Sequence, residues 1–231
     1  MIMKNLWCLC VLGLITVNPV YAQDASELIS KVKSKLDKVN DYTAQAEMKI
    51  DVSFIDAPDS KVVVYFKKPD KFKVVKKGGV SILPKGGMSV NIASLLANNN
   101  YDAVPGKDVK TDGIDTKVVK LLPRDENSNV VLTTLYIDEK NLVIRKATVV
   151  TKENGSYDID LNYGKFINWA LPDRVIFSFN TSEYKLPKGI TFEYEKGDKK
   201  KAETPKNKVG KVEIIYSGYV INKGVDDRLF R

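Results

Sequence analysis

Tyr42-Thr43-Ala44-Gln45-Ala46-Glu47-Met48-Lys49-Ile50-Asp51-Val52-Ser53-Phe54 is the stretch that decides the fold. Its even positions are apolar and its odd positions polar, without a break. Successive side chains of a strand point to opposite faces, so strict period two marks a long strand with one dry face. Strands of this length are more common in curved, wrapped sheets than in compact sandwiches.

Working downstream, Asp56-Ala57-Pro58-Asp59 turns the chain into a second strand, Ser60 to Lys68, rich in Val, Tyr and Phe. Pro69-Asp70 turns it again into Lys71 to Val75. Gly78-Gly79 and Lys85-Gly86-Gly87 punctuate the short apolar pieces that follow. Met88 to Asn100 changes character: Ile92, Leu95 and Leu96 group on one side of a short helix that ends at Asn98-Asn99-Asn100. After Pro105-Gly106 the spacing predicts strands at Thr116 to Leu122, Val130 to Ile137, Leu142 to Thr151, Tyr157 to Phe166, Arg174 to Asn180, Ile190 to Glu195 and Val209 to Val220. Asp138-Glu139-Lys140-Asn141 and Glu153-Asn154-Gly155 read as hairpin turns. The lysine-rich piece Lys196 to Lys208 reads as a solvated hairpin loop. About ten strands joined by short turns make a mainly β (α+β) chain: an antiparallel meander with helical decoration.

Upstream, Leu28, Val32, Leu36 and Val39 recur at helical spacing within Asp24 to Asn40, with lysines largely on the other side. Asp24 and Glu27 make a capping box, so one amphipathic helix is expected to cover something with its apolar stripe. The first residues carry Lys4, a short apolar run from Leu6 to Val17, and Val20-Tyr21-Ala22 with small residues where a signal peptidase reads. That order predicts a signal peptide over 1–22, too short to span a membrane, and one domain over 23–231. Both cysteines, Cys8 and Cys10, lie inside it and too early for a lipobox, so the product is read as soluble and without thiols. No later apolar run reaches membrane-spanning length.

Composition then excludes much chemistry. The chain has no histidine, and its expected mature part no cysteine, which removes the usual general base, thiol nucleophile and transition-metal ligands. Neither a nucleophile elbow nor a phosphate-binding loop occurs. Asp158 and Asp160 share one face of a predicted strand opposite Tyr157, Ile159 and Leu161, and read as its wet side rather than a glycosidase pair. Asp112 and Asp115 around Gly113 lack EF-hand spacing and read as a turn. No catalytic residue, metal or cofactor is expected, and the chain is not read as an enzyme. The net charge of +8 comes mostly from lysines spread along the chain. With no recognition helix of interleaved Arg and aromatics, nucleic acid is not expected as a partner. What remains is the apolar surface, which suits an ordinary core and equally a cavity with helices as its cover.

Family resemblance adds to this. Asp41-Tyr42-Thr43-Ala44 after the helix, Tyr65-Phe66-Lys67-Lys68-Pro69-Asp70-Lys71-Phe72-Lys73, Tyr136-Ile137-Asp138 with Leu142-Val143-Ile144-Arg145-Lys146, and the closing Tyr216-Ser217-Gly218-Tyr219 to Asp227-Arg228-Leu229-Phe230 stand in the order of the bacterial LolA-like family. That family comprises outer-membrane lipoprotein carriers and sorting proteins, with LolB and RseB as relatives. The resemblance implies a half-open β-barrel whose mouth is closed by helices and whose interior takes acyl chains. It implies a monomer in the periplasm of a Gram-negative bacterium, carrying acylated lipoprotein or lipid between envelope donor and acceptor proteins. An RseB-like sensor or adaptor that binds lipid or lipoprotein and signals by protein contacts is the alternative. Met48, Ile50, Val52 and Phe54, with Val64, Phe66 and Phe72, are expected to line the cavity. Ile92, Leu95 and Leu96 are expected to form the lid, with Lys68 at its hinge. The chain departs from the family at Lys68, where an Arg is usual: a point charge replaces a planar fork of donors. Ser81 to Leu96 also replaces the family's Asp-Gly segment and the aromatics after it.

Overall fold

The computed structural model describes residues 20–52, 58–76, 95–96, 100–153, 155–180 and 209–230. Phe54, Ile92, the predicted strand Ile190 to Glu195, the Lys196 to Lys208 loop and most of the predicted signal peptide lie outside these residues.

Among the described residues, one helix, α1 (Val20–Leu36), precedes eleven strands: β1 (Asp41–Asp51), β2 (Ser60–Lys67), β3 (Lys71–Lys76), β4 (Tyr101–Pro105), β5 (Val109–Thr111), β6 (Ile114–Pro123), β7 (Val130–Asp138), β8 (Val143–Thr151), β9 (Ser156–Asn162), β10 (Arg174–Asn180) and β11 (Val209–Ile221). All pair antiparallel in the order β3-β2-β1-β11-β10-β9-β8-β7-β6-β4, with β5 beside β6. β3 and β4 are the two ends and do not pair with each other, so the sheet curves without closing.

Period two in the sequence becomes two faces in the structure. Tyr42, Ala44, Ala46 and Met48 are buried on β1. They face Phe66, Val64, Val62 and Ser60 across β2. On the other side of β1 the phase must be corrected. Gln45 pairs with Gly218 but Ala46 with Tyr216, which leaves Ser217 as the extra residue of a β-bulge. Its hydroxyl donates to Gln45 O at 3.1 Å. The bulge brings Tyr216 and Tyr219, three apart, to the same face, opposite Ala46 and Ala44.

The buried side chains fall into two clusters on this face. The first joins Ala25, Leu28, Ile29 and Val32 of α1 to the inner residues of β6 through β10, with Leu135, Ile137, Ile159 and Phe177 at its centre. The second joins β1, β2 and β3 to Val39, Leu171 and Ile214. Each fully buried Leu, Ile, Val or Phe contributes roughly 1.5–3 kcal/mol, so these clusters dominate the stability.

Several expectations are corrected at element ends. α1 starts at Val20, so Asp24 lies inside the helix and caps nothing. No Gly or Pro stands between Val20 and Leu36 to start it later. It also stops at Leu36, where Lys38 and Val39 donate back over three residues and Val39 turns into the second cluster. The strand expected to reach Phe166 ends at Asn162 and gives way to a short 3-10 turn, Ile167–Trp169. β4 and β5 were not expected. Asp112-Gly113, both at positive φ (49° and 79°), form the β5–β6 turn. Two successive positive φ values make the tight hairpin turn that matches strand twist.

At the Asp41 end of the sheet, short polar ties hold the turns together. Asn222 Oδ1 accepts from Asn40 N at 2.7 Å and its amide donates to Lys38 O at 2.8 Å. Asp227 bridges Lys67 at 2.9 Å and Lys71 at 2.7 Å. These two ammonium groups hold the exposed Asp227 carboxyl down to about 2.

Candidate functional site

The concave face divides by what lies on it. Over β6 to β10, α1 supplies the cover. Over β1, β2, β3 and β11, the floor is Met48, Val62, Val64 and Phe66, all buried. Ile50, Phe72, Val212 and Tyr216 pack against that floor yet are only partly buried. Ile50 and Phe72 touch both clusters and mark the seam between them. An apolar seam that is dry beneath and partly accessible at its edge can accept an apolar chain without first displacing the core.

The expected lining residues that are described therefore sort into two groups. Met48, Val64 and Phe66 form the floor, while Ile50 and Phe72 are the accessible edge. Val52 is buried in the first cluster instead. Leu95 and Leu96 are helical, and both pack with that first cluster, Leu96 fully buried. Lys68 lies at the opposite end of β2 from Ser60. It donates to Asp37 O at 2.5 Å and pairs with Asp37 Oδ1 at 3.2 Å, so the helix end it clasps is that of α1.

A second tie holds α1 to the sheet. Lys35 Nζ donates to Asn141 O in the β7–β8 turn at 2.5 Å. That turn is built on Asp138, which is 3% exposed and the one buried charged residue among those described. Asp138 accepts from Asn141 N at 3.0 Å, Asn141 Nδ2 at 2.8 Å and Arg145 Nη2 at 2.7 Å. Burial opposes its charge, but the bonds from Asn141 and Arg145 outweigh burial and hold the carboxyl below the usual range. The guanidinium sits over the Tyr163 ring, 5.4 Å from its centre.

Sequence reasoning missed the β11 contribution. Val212, Ile214, Tyr216 and Tyr219 face inward, but the bulge at Ser217 breaks the alternation that would have revealed them. Burial drives the phenol groups of Tyr42, Tyr216 and Tyr219 upward in pKa.

Elsewhere the polar groups neutralise one another. Asp158 and Asp160 lie on the face opposite Ile159 and Leu161, with Lys146 at 3.1 and 3.9 Å. A cleft of about 820 Å³ separates the β5–β6 hairpin from the β7–β8 turn. Its cations are largely spent on its own carboxylates, Lys117 on Asp108 at 2.7 Å and Arg145 on Asp138. Among the described residues, no group of three or more His, Cys, Asp or Glu could hold a metal, and no helix is long and apolar enough to cross a membrane.

No protein-family model matches the sequence, and no curated protein matches it significantly. Solved structures do match. One is described as an outer membrane lipoprotein-sorting protein domain from Vibrio parahaemolyticus, with TM-score 0.60 at 13% identity over 91% of this chain and 97% of that one. A DUF1329 family protein from Desulfovibrio piger gives 0.56 at 12% identity, over 91% and 97%. A LolA superfamily protein from Nitrosomonas europaea gives 0.54 at 11% identity, over 90% and 97%. At such identities the likeness is one of fold, and it spans nearly the whole chain.

Proposed function

We propose that this chain, which has the fold of the LolA superfamily, is an exported periplasmic carrier that shelters the acyl chains of lipoproteins or lipids. The observation that carries this reading is the seam of the concave face, where Ile50, Phe72 and Val212 stay partly accessible over a fully buried apolar floor. Exposing an acyl chain to water costs about 0.8 kcal/mol per CH₂, on the order of 10 kcal/mol for a long chain. Only a dry groove of comparable length offsets that. β1, β2 and β3 are proposed to form one, with Met48, Val64 and Phe66 as floor and Ile50 and Phe72 as walls. Phe54 and Ile92 are proposed to extend the lining and the cover, and Leu95 and Leu96 to anchor the cover on the first cluster. Lys68 is proposed to act on the cover through Asp37 and α1, as a single charge that lets go more readily than a forked guanidinium. Among the described residues the seam is lined by hydrocarbon and phenol side chains, which supports a role in binding and release. The N-terminal 22 residues are proposed as the export signal.

The test is native mass spectrometry with lipid extraction on protein purified without detergent, comparing wild type with Ile50→Glu. Acylated material on the wild type that disappears from a folded variant supports the carrier. If no lipid is found on wild type, and no added acyl chain is taken up, the role moves to protein contacts of the RseB-like kind.

A further inference from the structure

The connection between β9 and β10 sends its large apolar residues in opposite directions. Phe166 and Leu171 turn inward and pack in the second cluster, where the Phe166 ring meets Tyr219 edge on at 5.0 Å. The two between them do not follow. Ile167 is only partly buried, and Trp169 is 40% exposed, the one aromatic residue among the exposed large hydrophobic side chains described. The tip is fixed in this form. Trp169 N donates to Phe166 O at 2.9 Å, Ala170 N donates to Ile167 O at 3.0 Å, and Ala170 takes φ 52°, which few residues other than glycine adopt. A short turn anchored at both ends thus holds an indole at the surface.

Single exposed apolar side chains are common and carry nothing by themselves. This one stands among cations. Lys165 lies over the Phe166 ring, 5.4 Å from its centre. Asn222 donates its amide to Lys38 O at 2.8 Å, which brings Lys38 and Lys223 to the same end of the sheet. All three lysines are exposed, and none pairs with a carboxylate among the described residues. The acids nearby already have donors. Asp37 is shared by Lys33 and Lys68, and Asp227 by Lys67 and Lys71. Asp173 accepts from Lys165 N at 3.2 Å, and Asp41 from Gly224 N at 2.9 Å. Cations outnumber carboxylates here, so the end that presents the indole also attracts an anionic surface. Two apolar side chains fall far short of the roughly 800 Å² that a specific protein partner covers on each side. They suit the boundary of a bilayer, where an indole keeps its ring in the apolar layer and its N–H among headgroups, and where lysines reach the phosphates.

We propose that the β9–β10 loop docks this chain on a bilayer carrying anionic phospholipid. Trp169 and Ile167 enter the headgroup boundary, and Lys38, Lys165 and Lys223 meet the phosphates. The contact rests on the carrier reading for its purpose: Phe72 of the seam lies at this same end, opposite Phe66 and so in line with Tyr42, and docking turns that end toward the surface that gives or takes the acyl chain.

The mature chain, residues 23–231, keeps Trp169 as its single tryptophan, because Trp7 lies in the proposed export signal, so tryptophan fluorescence reports this loop alone. The experiment adds vesicles of phosphatidylglycerol and phosphatidylcholine in equal parts, or of phosphatidylcholine alone, at low salt. On the anionic vesicles the emission is expected to shift to the blue and to be shielded from acrylamide. Each lysine near an anionic surface counts for about 5-fold, so three favour these vesicles by on the order of 100-fold, and salt removes the preference. In vesicle sedimentation Trp169→Ala should weaken binding about 10-fold. Lys38→Gln, Lys165→Gln and Lys223→Gln together should bring anionic vesicles down to the neutral level. Lys61→Gln, Lys152→Gln and Lys211→Gln together remove the same charge from the far end of the sheet and should leave most of the binding. Sedimentation with unchanged emission, equal losses in the two triple variants, or no binding to anionic vesicles overturns the docking loop and leaves Trp169 to a protein partner. None of these outcomes touches the carrier, which is tested by acyl-chain uptake in solution without vesicles.

Discussion

Met48 and Ile50 stand two apart on the same face of β1, and a carboxylate placed at each should have opposite consequences. Met48 is 2% exposed on the floor of the second cluster. Met48→Glu forfeits roughly 2–3 kcal/mol of apolar burial. It also strands a carboxyl among apolar neighbours, which costs several kcal/mol more or forces the group to bind a proton. The sum, on the order of 5 kcal/mol or more, rivals the whole net stability of a domain. Ile50 is partly accessible at the seam, so a Glu there turns its head to water and costs about 1–2 kcal/mol. For a chain of this size that is a fall in Tm of roughly 2–8 °C. Thermal unfolding followed by far-UV circular dichroism at pH 7 separates the two. Ile50→Glu should melt cooperatively within that range of wild type, and Met48→Glu should fail to fold or melt more than about 15 °C lower. If both are tolerated equally, the floor is not dry. If Ile50→Glu also fails to fold, the seam is ordinary core.

Deleting Ser217 removes the bulge residue and forces Val212, Ile214 and Tyr216, or else Tyr219 and Ile221, onto the wet face. The loss is at least about 4 kcal/mol, and a deletion variant with unchanged denaturant midpoint refutes the register argument. Asp138→Asn leaves the Arg145 guanidinium unpaired and costs about 3 kcal/mol at pH 7 in urea unfolding. The wild-type carboxyl titrates below its unfolded value of about 4, so its stabilisation is complete above pH 4 and is lost as pH falls through the lower, folded value. The variant should therefore show a shallower acid limb, and parallel limbs would contradict the assignment. Lys68→Met removes the clasp on Asp37, which is substantially solvent-exposed, so global stability should change by less than about 1 kcal/mol. Amide exchange in the last turn of α1 should nonetheless quicken, and unchanged protection there would show that Lys35 alone holds the helix.

Much of the sheet was legible because alternation survives wherever one face is dry. β1 was read from thirteen residues, and β10 was placed at the bounds it has, Arg174 to Asn180. β4 and β5 escaped because they are two short pieces of one edge, interrupted by Pro105-Gly106, and too short to show a period. The phase of β11 escaped because one inserted residue turns period two into a spacing of three. The start of α1 was misplaced because a capping box is a local signal, and a helix runs through it when the preceding residues are helix-compatible. At the site, parity identified the inward residues of β1. It could not separate Met48 from Ile50, since that difference is made by side chains from β2, β3 and β11. Nor could it pair Lys68 with Asp37, 31 positions earlier in the chain.

The carrier role requires that the concave seam, and not any other apolar surface, takes the acyl chain. The convex face offers a fair competitor, since Val104, Leu122 and Val220 are all exposed there. A diazirine placed along a long acyl chain, photolysed in complex with wild-type protein and mapped by peptide mass spectrometry, decides between them. Binding in the seam gives adducts on the peptides that carry Ile50, Phe72 and Val212 to Tyr216, lost on competition with an unlabelled acyl chain. Adducts centred on Val104, Leu122 or Val220, or scattered without competition, would contradict it.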